Sequence, residues 1–495
     1  MKYKTTIGLE IHAELKTQTK MFCNSKNDTE EKRPNVNVCP VCMGHPGTLP
    51  TVNKEAVKSV LKVGVALGGK FADFTEFDRK NYFYPDIPKG YQISQYKYPL
   101  VTGGKLGGVE ITRIHLEEDT AKSSHENGNY SLVDFNRAGV PLMELVTEPV
   151  IHSAEKASKF AKELQLLLQY LGVAEANMEK GEMRVEANIS VSPDVKVQPW
   201  QLKKAESLVA NGAISADKLL LGTKVEVKNL NSFRAVQRAI EYEVKRHIEL
   251  LEKGEKVVQE TRGWDEDKQE TFPQRLKEYS HDYRYFPDPD LPKLYLNEIP
   301  KFQKETLEKE LPKLPWEKRE EYTKNFGLKD EDAEVFVRST VWGKYFEDVI
   351  SHLKNDKDLI KLASNYITSD LIGLVDCQGS ILAVKILPAS FAQLMILIKS
   401  GKLSSRAGKD ILKIMYEKGG EPEEIAEKEN LLQKSGEGHI KKIVEKIISD
   451  NHSVVADYKS GKQAALQFLI GQAMRETKGS ANPEILKKTL ISFLS

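Results

Sequence analysis

Residues 6–15 alternate between small or apolar and polar side chains without a break. Because successive side chains of a β-strand point to opposite sides, this alternation predicts a strand with one apolar and one ionisable face. The ionisable face carries Glu10, His12 and Glu14. The same alternation returns further along the chain, at 182–190 and 224–228. The sequence therefore predicts a sheet whose polar face gathers carboxylates and an imidazole.

Bulk composition excludes several classes of protein. With 495 residues the chain is long enough for about two to four domains. Basic and acidic residues nearly balance, at 73 and 72, so overall charge does not support a whole-surface polyanion binder. No apolar run approaches the ~18 residues of a membrane span, and polar residues interrupt any signal-like N-terminus. Four cysteines in so long a chain make no disulfide framework. These features predict a soluble, cytoplasmic protein.

Changes in composition divide the chain into three predicted domains. Residues 1–292 carry most of the alternating stretches and two predicted helices, which indicates an α+β fold with a largely antiparallel sheet. A proline-rich stretch at 286–292 predicts a boundary, because proline cannot donate to a helix or a sheet. Charged helical segments then fill 293–400, and short helices separated by glycines fill 401–495.

The ionisable faces have a functional and a simpler interpretation. Antiparallel sheets with one solvated face alternate in this way, so a solvated surface explains any single strand. However, Glu10 and His12 lie about 6–7 Å apart on one face, and glutamate is a poor strand former. Glu118 falls on the Ile114/Leu116 side, where a carboxylate needs a metal or a lysine as partner. Oxygen-rich sites of this type suit Mg²⁺, so metal–nucleotide chemistry stays open beside the solvated face.

The cysteines suggest a zinc site that lacks one ligand. Cys39 and Cys42 have zinc-knuckle spacing, and Cys23 lies upstream. Ser25 stands where a fourth cysteine would complete the set, and His45 is a substitute candidate. The alternative is a group of reduced thiols in a loop.

Two stretches, 77–86 and 280–287, interleave basic and aromatic residues. Such stretches bind nucleotides or single-stranded nucleic acid, because the cations pair with phosphates while the rings stack on bases. They also occur in ordinary cores with partly buried cations. The sequence contains neither a P-loop nor a G-x-S-x-G elbow, so ATP is not bound as in P-loop enzymes and serine hydrolysis is disfavoured.

Several segments together resemble the GatB family, one subunit type of the aspartyl/glutamyl-tRNA amidotransferases, in the family's order and over essentially the whole chain. The segments are 8–15, 77–86, 115–119, 134–142, 228–233, 282–287, 403–406 and 479–483. The resemblance implies a cradle domain with a glutamine-synthetase-like antiparallel sheet, then an all-helical domain and a small helical YqeY-like tail that binds tRNA. It implies that ATP phosphorylates the side-chain carboxylate of glutamate or aspartate mischarged on tRNA(Gln) or tRNA(Asn). Ammonia then displaces phosphate.

The resemblance also implies roles for particular residues and partners. The implied catalytic residues are Glu10, His12, Glu118 and Lys80, the last near the route of ammonia. The implied Mg²⁺ ligands are Glu10, His12, Glu118 and Glu186, and the implied ATP-binding residues are Arg79, Arg137, Glu186 and Arg284. Glu14 is expected at the edge of the cradle, in solvent. A separate amidase subunit would release ammonia from glutamine, and a small third subunit would complete a heterotrimer.

Two other functions remain possible from the sequence. One is a stand-alone glutamine-synthetase-like ligase for a free amino acid, which the tail domain disfavours because a small substrate needs no RNA-binding appendage. The other is a non-catalytic tRNA-binding scaffold, which has no use for converging metal ligands. The sequence leaves open whether Glu-tRNA(Gln), Asp-tRNA(Asn) or both are substrates.

Overall fold

The computed structural model of the chain describes residues 3–124, 129–193, 221–276, 283–376, 386–432, 437–476 and 483–494. Outside these ranges lie the motif residues 280–282 and 479–482 and the cysteine Cys377. The chain divides into two compact units, Met1–Leu314 and Pro315–Ser495. The predicted division at 292 and 400 into three domains remains a proposal.

Among the described residues, the first unit contains all of the strands and four α-helices. Its strands are β1 (Tyr3–Glu14), β2 (Lys70–Phe71), β3 (Phe74–Thr75), β4 (Asp78–Asn81), β5 (Tyr91–Ser94), β6 (Val101–Thr102), β7 (Lys105–Leu106), β8 (Val109–Glu118), β9 (Lys122–Ser124), β10 (Leu132–Asp134), β11 (Pro141–Thr147), β12 (Met183–Pro193), β13 (Val225–Leu230), β14 (Glu260–Asp265), β15 (Glu270–Leu276), β16 (Phe286–Pro287) and β17 (Leu294–Tyr295). Its helices are α1 (Lys54–Ala66), α2 (Ala154–Tyr170), α3 (Phe233–Glu252) and α4 (Lys304–Glu310).

Within the described residues, ten strands form one sheet in the order β15-β14-β13-β12-β1-β11-β8-β6-β2, with β7 added to β8. Neighbouring strands run antiparallel except β13 and β14, which are parallel. The N-terminal strand β1 is internal, with β12 on one side and β11 on the other. The prediction of an α+β fold with a largely antiparallel sheet is therefore confirmed.

The apolar face of the sheet forms the core of the first unit. Ile7, Leu9, Ile11 and Ala13 of β1 are at most 1% exposed, as the alternation predicts. Helices α2 and α3 pack against the sheet, and each begins at a serine whose side chain accepts a backbone N–H of the first turn. Burying each large aliphatic side chain of this face contributes about 1.5–3 kcal/mol. The helices therefore cover the apolar face of the sheet. Because side chains alternate along each strand, the ionisable side chains of β1 lie on the other face.

Helix α1 was missed by the sequence analysis. It contains four valines, which are more typical of strands than of helices. Asn53 begins the helix by accepting hydrogen bonds from the backbone N–H groups of Glu55 and Ala56. Local capping and burial of one face therefore outweigh intrinsic propensity here.

The second unit is helical throughout the part of it that the structure describes. Its helices are α5 (Pro315–Glu320), α6 (Asp330–Arg338), α7 (Thr340–Ser351), α8 (Lys357–Tyr366), α9 (Ile372–Asp376), α10 (Pro388–Lys399), α11 (Ser405–Lys418), α12 (Pro422–Lys428), α13 (Glu437–Asp450), α14 (His452–Lys459), α15 (Gln463–Glu476) and α16 (Pro483–Leu494). Phe336 and Phe346 stack with ring centroids 4.2 Å apart in one core, and the last four helices enclose another. No described helix has the length and apolar character needed to cross a membrane. The predicted helical C-terminal region is confirmed.

Candidate active site on the polar face of the sheet

Four neighbouring strands bring ionisable side chains together on the polar face. His12 of β1 lies opposite Glu144 of β11 on one side and Arg184 of β12 on the other. Glu144 in turn lies opposite His115 of β8. Directly opposite residues on neighbouring strands have Cβ atoms about 4.5–5.5 Å apart, so these side chains meet. The predicted polar face is therefore a site assembled from distant parts of the chain.

Five of these side chains form a compact group, which we call the Glu144 cluster. Its members are Glu10, His12, His115, Glu117 and Glu144. His12 Nε2 lies 3.3 Å from Glu144 Oε2, 3.6 Å from Glu117 Oε1 and 4.0 Å from Glu10 Oε1. His115 Nε2 lies 3.4 Å from Glu144 Oε2.

The geometry of the Glu144 cluster suits a divalent cation. Two sets of three possible ligand atoms each lie within 4.8 Å of one another: Glu10, His12 and Glu144, and His115, Glu117 and Glu144. Three carboxylates supply the oxygen ligands that Mg²⁺ prefers, and few protein ligands leave room for water and phosphate oxygens. The residues therefore fit the predicted metal, and Glu144 belongs to both sets.

The electrostatics of the cluster show how strongly it attracts positive charge. Burial alone would lower the pKa of His12, but Glu144, which pairs with the imidazole, and Glu117 raise it to about 9. Burial raises the pKa of Glu10 to about 7, and repulsion from Glu144 and Glu186 contributes. Burial would also raise the pKa of Glu144, yet His115 and His12 hold it well below its usual range. At neutral pH the proton of His12 therefore supplies positive charge that a bound cation would replace.

These pKa values predict a pH-dependent affinity for Mg²⁺. Between about pH 7 and 9 we expect the affinity to rise about tenfold per unit, because the cation must displace the proton of His12. Below about pH 7 the rise becomes steeper, since Glu10 must lose a proton too, and above about pH 9 it levels off. Calorimetric Mg²⁺ titrations in buffers of different ionisation enthalpy measure both affinity and released protons. His12→Asn should remove the dependence between pH 7 and 9, and a pH-independent wild type would contradict the prediction.

Glu118 lies apart from the Glu144 cluster. Its carboxylate accepts hydrogen bonds from Lys89 Nζ, at 2.6 Å from Oε2, and from the backbone N–H of Ile93, at 2.9 Å from Oε1. The side chain is on the opposite face from Glu117, as strand alternation requires. Of the two partners that the sequence allowed, a metal or a lysine, the structure provides the lysine. The role of Glu118 as a metal ligand stays a prediction.

Two more of the predicted site residues border the Glu144 cluster. Glu186 lies opposite Glu10, and its carboxylate is 2.9 Å from Lys228 Nζ. Lys80 of β4 lies beside the rings of Tyr82 and Tyr283. Burial alone would lower the pKa of Lys80, but Glu117 and nearby tyrosines and acids raise it above its usual range. The structure thus brings Glu10, His12, Lys80 and Glu186 together.

The three predicted ATP-binding arginines do not converge on the Glu144 cluster. Arg79 pairs with Asp288 and Asp290 at 2.7 and 3.0 Å. Arg137 donates to the backbone carbonyls of Thr120 and Ala121, both at 3.0 Å, and its Nε lies 3.6 Å from Asp119. Arg284 is exposed, with its backbone in the left-handed region at a φ of 46°. Their role in binding ATP stays a prediction.

The expectation that Glu14 is solvated is wrong. Glu14 is only 8% exposed, and its charged neighbours are the buried Asp119 and the partly buried Arg184 and Arg137. Burial raises the pKa of Glu14 to about 8, repulsion from Asp119 adds to the shift, and the two arginines oppose it. The row of ionisable side chains on β1 therefore ends beside other charged side chains and not in solvent.

Sequence reasoning missed His115, Glu117 and Glu144. A signal for the first two was present, because His115 and Glu117 repeat the two-residue spacing of Glu10 and His12. Glu144 is a single carboxylate in the otherwise apolar run of β11, where burial demands a partner. Only the register between strands shows that these three residues meet.

The cysteines form a second possible metal site. The Sγ atoms of Cys23, Cys39 and Cys42 lie within 4.8 Å of one another, and those of Cys39 and Cys42 are 3.8 Å apart. Tetrahedral zinc with bonds of about 2.3 Å requires about this separation. Ser25 Oγ lies 3.8 Å from Cys42 Sγ. His45, the predicted substitute, is not in this group among the described residues. A hydrogen bond from Cys23 and the nearby Lys20 lower the pKa of Cys42 to about 4, which favours a thiolate.

Comparison with known proteins shows the family. A family model described as GatB/GatE catalytic domain matches residues 5–300, and one described as GatB domain matches residues 344–494. The aspartyl/glutamyl-tRNA(Asn/Gln) amidotransferase B subunit of Dehalococcoides mccartyi is 42% identical over 513 residues, covering 99% of each chain. The chain belongs to the GatB family. The relative of the same name from Thermotoga maritima is 42% identical over 508 residues, covering 100% of this chain and 99% of its own.

Membership in the GatB family confirms the resemblance seen in the sequence. Amidotransferases of this family are ligases of protein biosynthesis, and a GatB chain is one part of a multi-subunit enzyme. The polar face of the sheet lies within the residues matched by the GatB/GatE catalytic domain. The Glu144 cluster is therefore a candidate for the active site of this enzyme.

Proposed function

We propose that this chain phosphorylates the side-chain carboxylate of glutamate or aspartate mischarged on tRNA(Gln) or tRNA(Asn), and amidates the product. The relatives are named as subunits of aspartyl/glutamyl-tRNA(Asn/Gln) amidotransferases, which supports this substrate class. The observation that carries the proposal is the convergence of Glu10, His12 and Glu144 on one sheet face. The carboxylate must be phosphorylated before it is amidated, because hydroxide is too poor a leaving group for ammonia to displace.

The reaction requires ATP, Mg²⁺ and a source of ammonia. The γ-phosphoryl group of ATP would pass to the carboxylate, ADP would leave, and ammonia would then displace phosphate to give the amide. Bound Mg²⁺ would offset charge on the transferring phosphoryl group. Glu10, His12 and Glu144 would hold the cation, while Lys80 borders the cluster on the side of Glu117.

The proposed partners follow from the chemistry of ammonia. A separate amidase subunit would release ammonia from glutamine, and a small third subunit would complete the heterotrimer. The relatives are each named as one subunit of a larger enzyme, which supports partners of this kind. The helical tail within 401–495 would bind tRNA; nearly all of it lies within residues 344–494, which match the GatB domain.

The decisive experiment offers each mischarged tRNA to the assembled complex with ATP, Mg²⁺ and glutamine. We expect Gln-tRNA(Gln), Asn-tRNA(Asn) or both to form only when ATP and Mg²⁺ are present. Glu10→Ala should reduce formation by about 100-fold or more, because the cation loses a ligand. Amidation of free glutamate without tRNA would favour the stand-alone ligase. Full activity of Glu10→Ala would favour the scaffold.

We also propose that the three cysteines hold a structural Zn²⁺. Their Sγ atoms fit three corners of a tetrahedron, and Ser25 Oγ or water would complete the shell. We expect about one Zn²⁺ per purified chain, and less than about a tenth of that for Cys42→Ala. Elemental analysis after dialysis measures the content. Ser460→Ala, at an exposed helix end in the second unit, is the control and should retain the wild-type content.

A further inference from the structure

Arg184 is a cation of the polar face to which the sequence analysis gave no role. It extends from β12 directly opposite His12, and the charged side chains that act on its guanidinium are Asp119, Glu14 and Glu117, the last a member of the Glu144 cluster. Its Nη2 donates to Asp119 Oδ2 at 2.7 Å. Across the residues that the structure describes, this is the only hydrogen bond of the Arg184 side chain. A guanidinium has five N–H donors, so four have no hydrogen-bond acceptor among the described residues.

Asp119 fixes the direction of this guanidinium. The Asp119 side chain is 3% exposed, whereas that of Arg184 is 22% exposed. Asp119 also accepts the backbone N–H of Thr120 at 2.8 Å, and Arg137 Nε lies 3.6 Å from it. The buried carboxylate therefore holds Nη2 of the guanidinium, while part of the Arg184 side chain stays exposed to solvent.

Two other cations of this face are paired differently. Arg113 Nη2 lies 3.4 Å from Glu144, and Lys228 Nζ lies 2.9 Å from Glu186. Glu144 is itself a candidate metal ligand, and so is Glu186. Asp119 belongs to neither set of possible ligand atoms at the cluster. A bound cation and Arg184 would thus use different carboxylates, and the direction of Arg184 does not depend on the metal.

We propose that Arg184, positioned by Asp119, binds oxygens of the phosphoryl group during its transfer. The inference rests on the proposed function. A guanidinium with a free edge recognises paired phosphate oxygens through two parallel hydrogen bonds. Charge on those oxygens must be offset on the side away from the metal as well as at the metal. Arg184 is a catalytic residue in this proposal, and Asp119 is a positioning residue.

The test compares two nucleotide complexes of the full-length chain assembled with its partners. The dissociation constant of ADP and Mg²⁺ is measured with and without aluminium fluoride, which mimics the transferring phosphoryl group. We expect Arg184→Gln to weaken the fluoride complex by about 100-fold and the ADP complex by less than about threefold. Arg184→Lys keeps the charge without the fork, so we expect a loss of about tenfold. Asp119→Asn should also weaken the fluoride complex more than the ADP complex, because the guanidinium loses the carboxylate that fixes its direction.

Controls separate this proposal from a folding defect and from the proposed function. Arg238→Gln removes an arginine on α3 that donates to Gln269, and both affinities should stay unchanged. A structural role for Arg184 would weaken both complexes equally, which would overturn the inference. So would a raised KM for mischarged tRNA with an intact fluoride complex, since the bound anion would then be the substrate carboxylate. A wild type that binds neither complex contradicts the proposed function itself, and this inference with it.

Discussion

Glu144→Gln is expected to reduce ATP-dependent amidation by the assembled enzyme by about 1000-fold. Glu144 belongs to both sets of possible metal ligands, and its neighbours His12 and His115 keep its pKa low, so it is charged at neutral pH. Glutamine keeps the shape of the side chain but cannot neutralise a cation. Steady-state rates at saturating ATP, measured across a Mg²⁺ titration, test the expectation, and excess Mg²⁺ should restore little activity.

Glu148→Gln is the matched control for this substitution. Glu148 follows the same strand and accepts a hydrogen bond from Thr112 Oγ1 at 2.7 Å, outside the Glu144 cluster. We expect its activity to stay within about twofold of wild type, as for most substitutions away from such sites. If Glu144→Gln retained more than a tenth of the wild-type rate, the Glu144 cluster would not be the site of phosphoryl transfer.

Lys89→Met is expected to lower the free energy of unfolding of the first unit by about 3–5 kcal/mol. The methionine fills similar space but leaves Glu118, whose side chain is 7% exposed, as a buried carboxylate without its cation. Adding Glu118→Leu to the same chain should recover most of the loss, because the pair is then replaced by apolar groups. Urea unfolding followed by far-UV circular dichroism measures the changes.

The control for Lys89→Met is Lys97→Met, which changes an exposed lysine beside Tyr98 and should be nearly neutral. Mg²⁺ gives the experiment a second use. If Mg²⁺ restored the stability of Lys89→Met, the Glu118 carboxylate would bind a cation, as the family resemblance implies. If stability stayed low at all Mg²⁺ concentrations, Glu118 would serve Lys89 alone.

Patterns within one strand were predictable from the sequence, and contacts between strands were not. The alternation at β1 predicted which side chains are buried, because side-chain direction depends only on the local backbone. The partners of His12 on other strands, Glu117 and Glu144, lie more than a hundred residues away, and the sequence does not give the register that selects Glu144. Glu14 shows the same limit, since the pattern predicts its face but not the partly buried Arg184 and Arg137 beside it.

The internal position of β1 has a consequence for synthesis of the chain. β1 is translated before its neighbours β11 and β12, which end only at Thr147 and Pro193. At about 5–20 residues per second, the synthesis of β11 ends roughly 7 to 27 s after that of β1, and the synthesis of β12 roughly 9 to 36 s after it. Exposed edges of an apolar strand invite pairing with other chains. We therefore expect the segment that carries Glu10 and His12 to be the part of the nascent chain most dependent on chaperones.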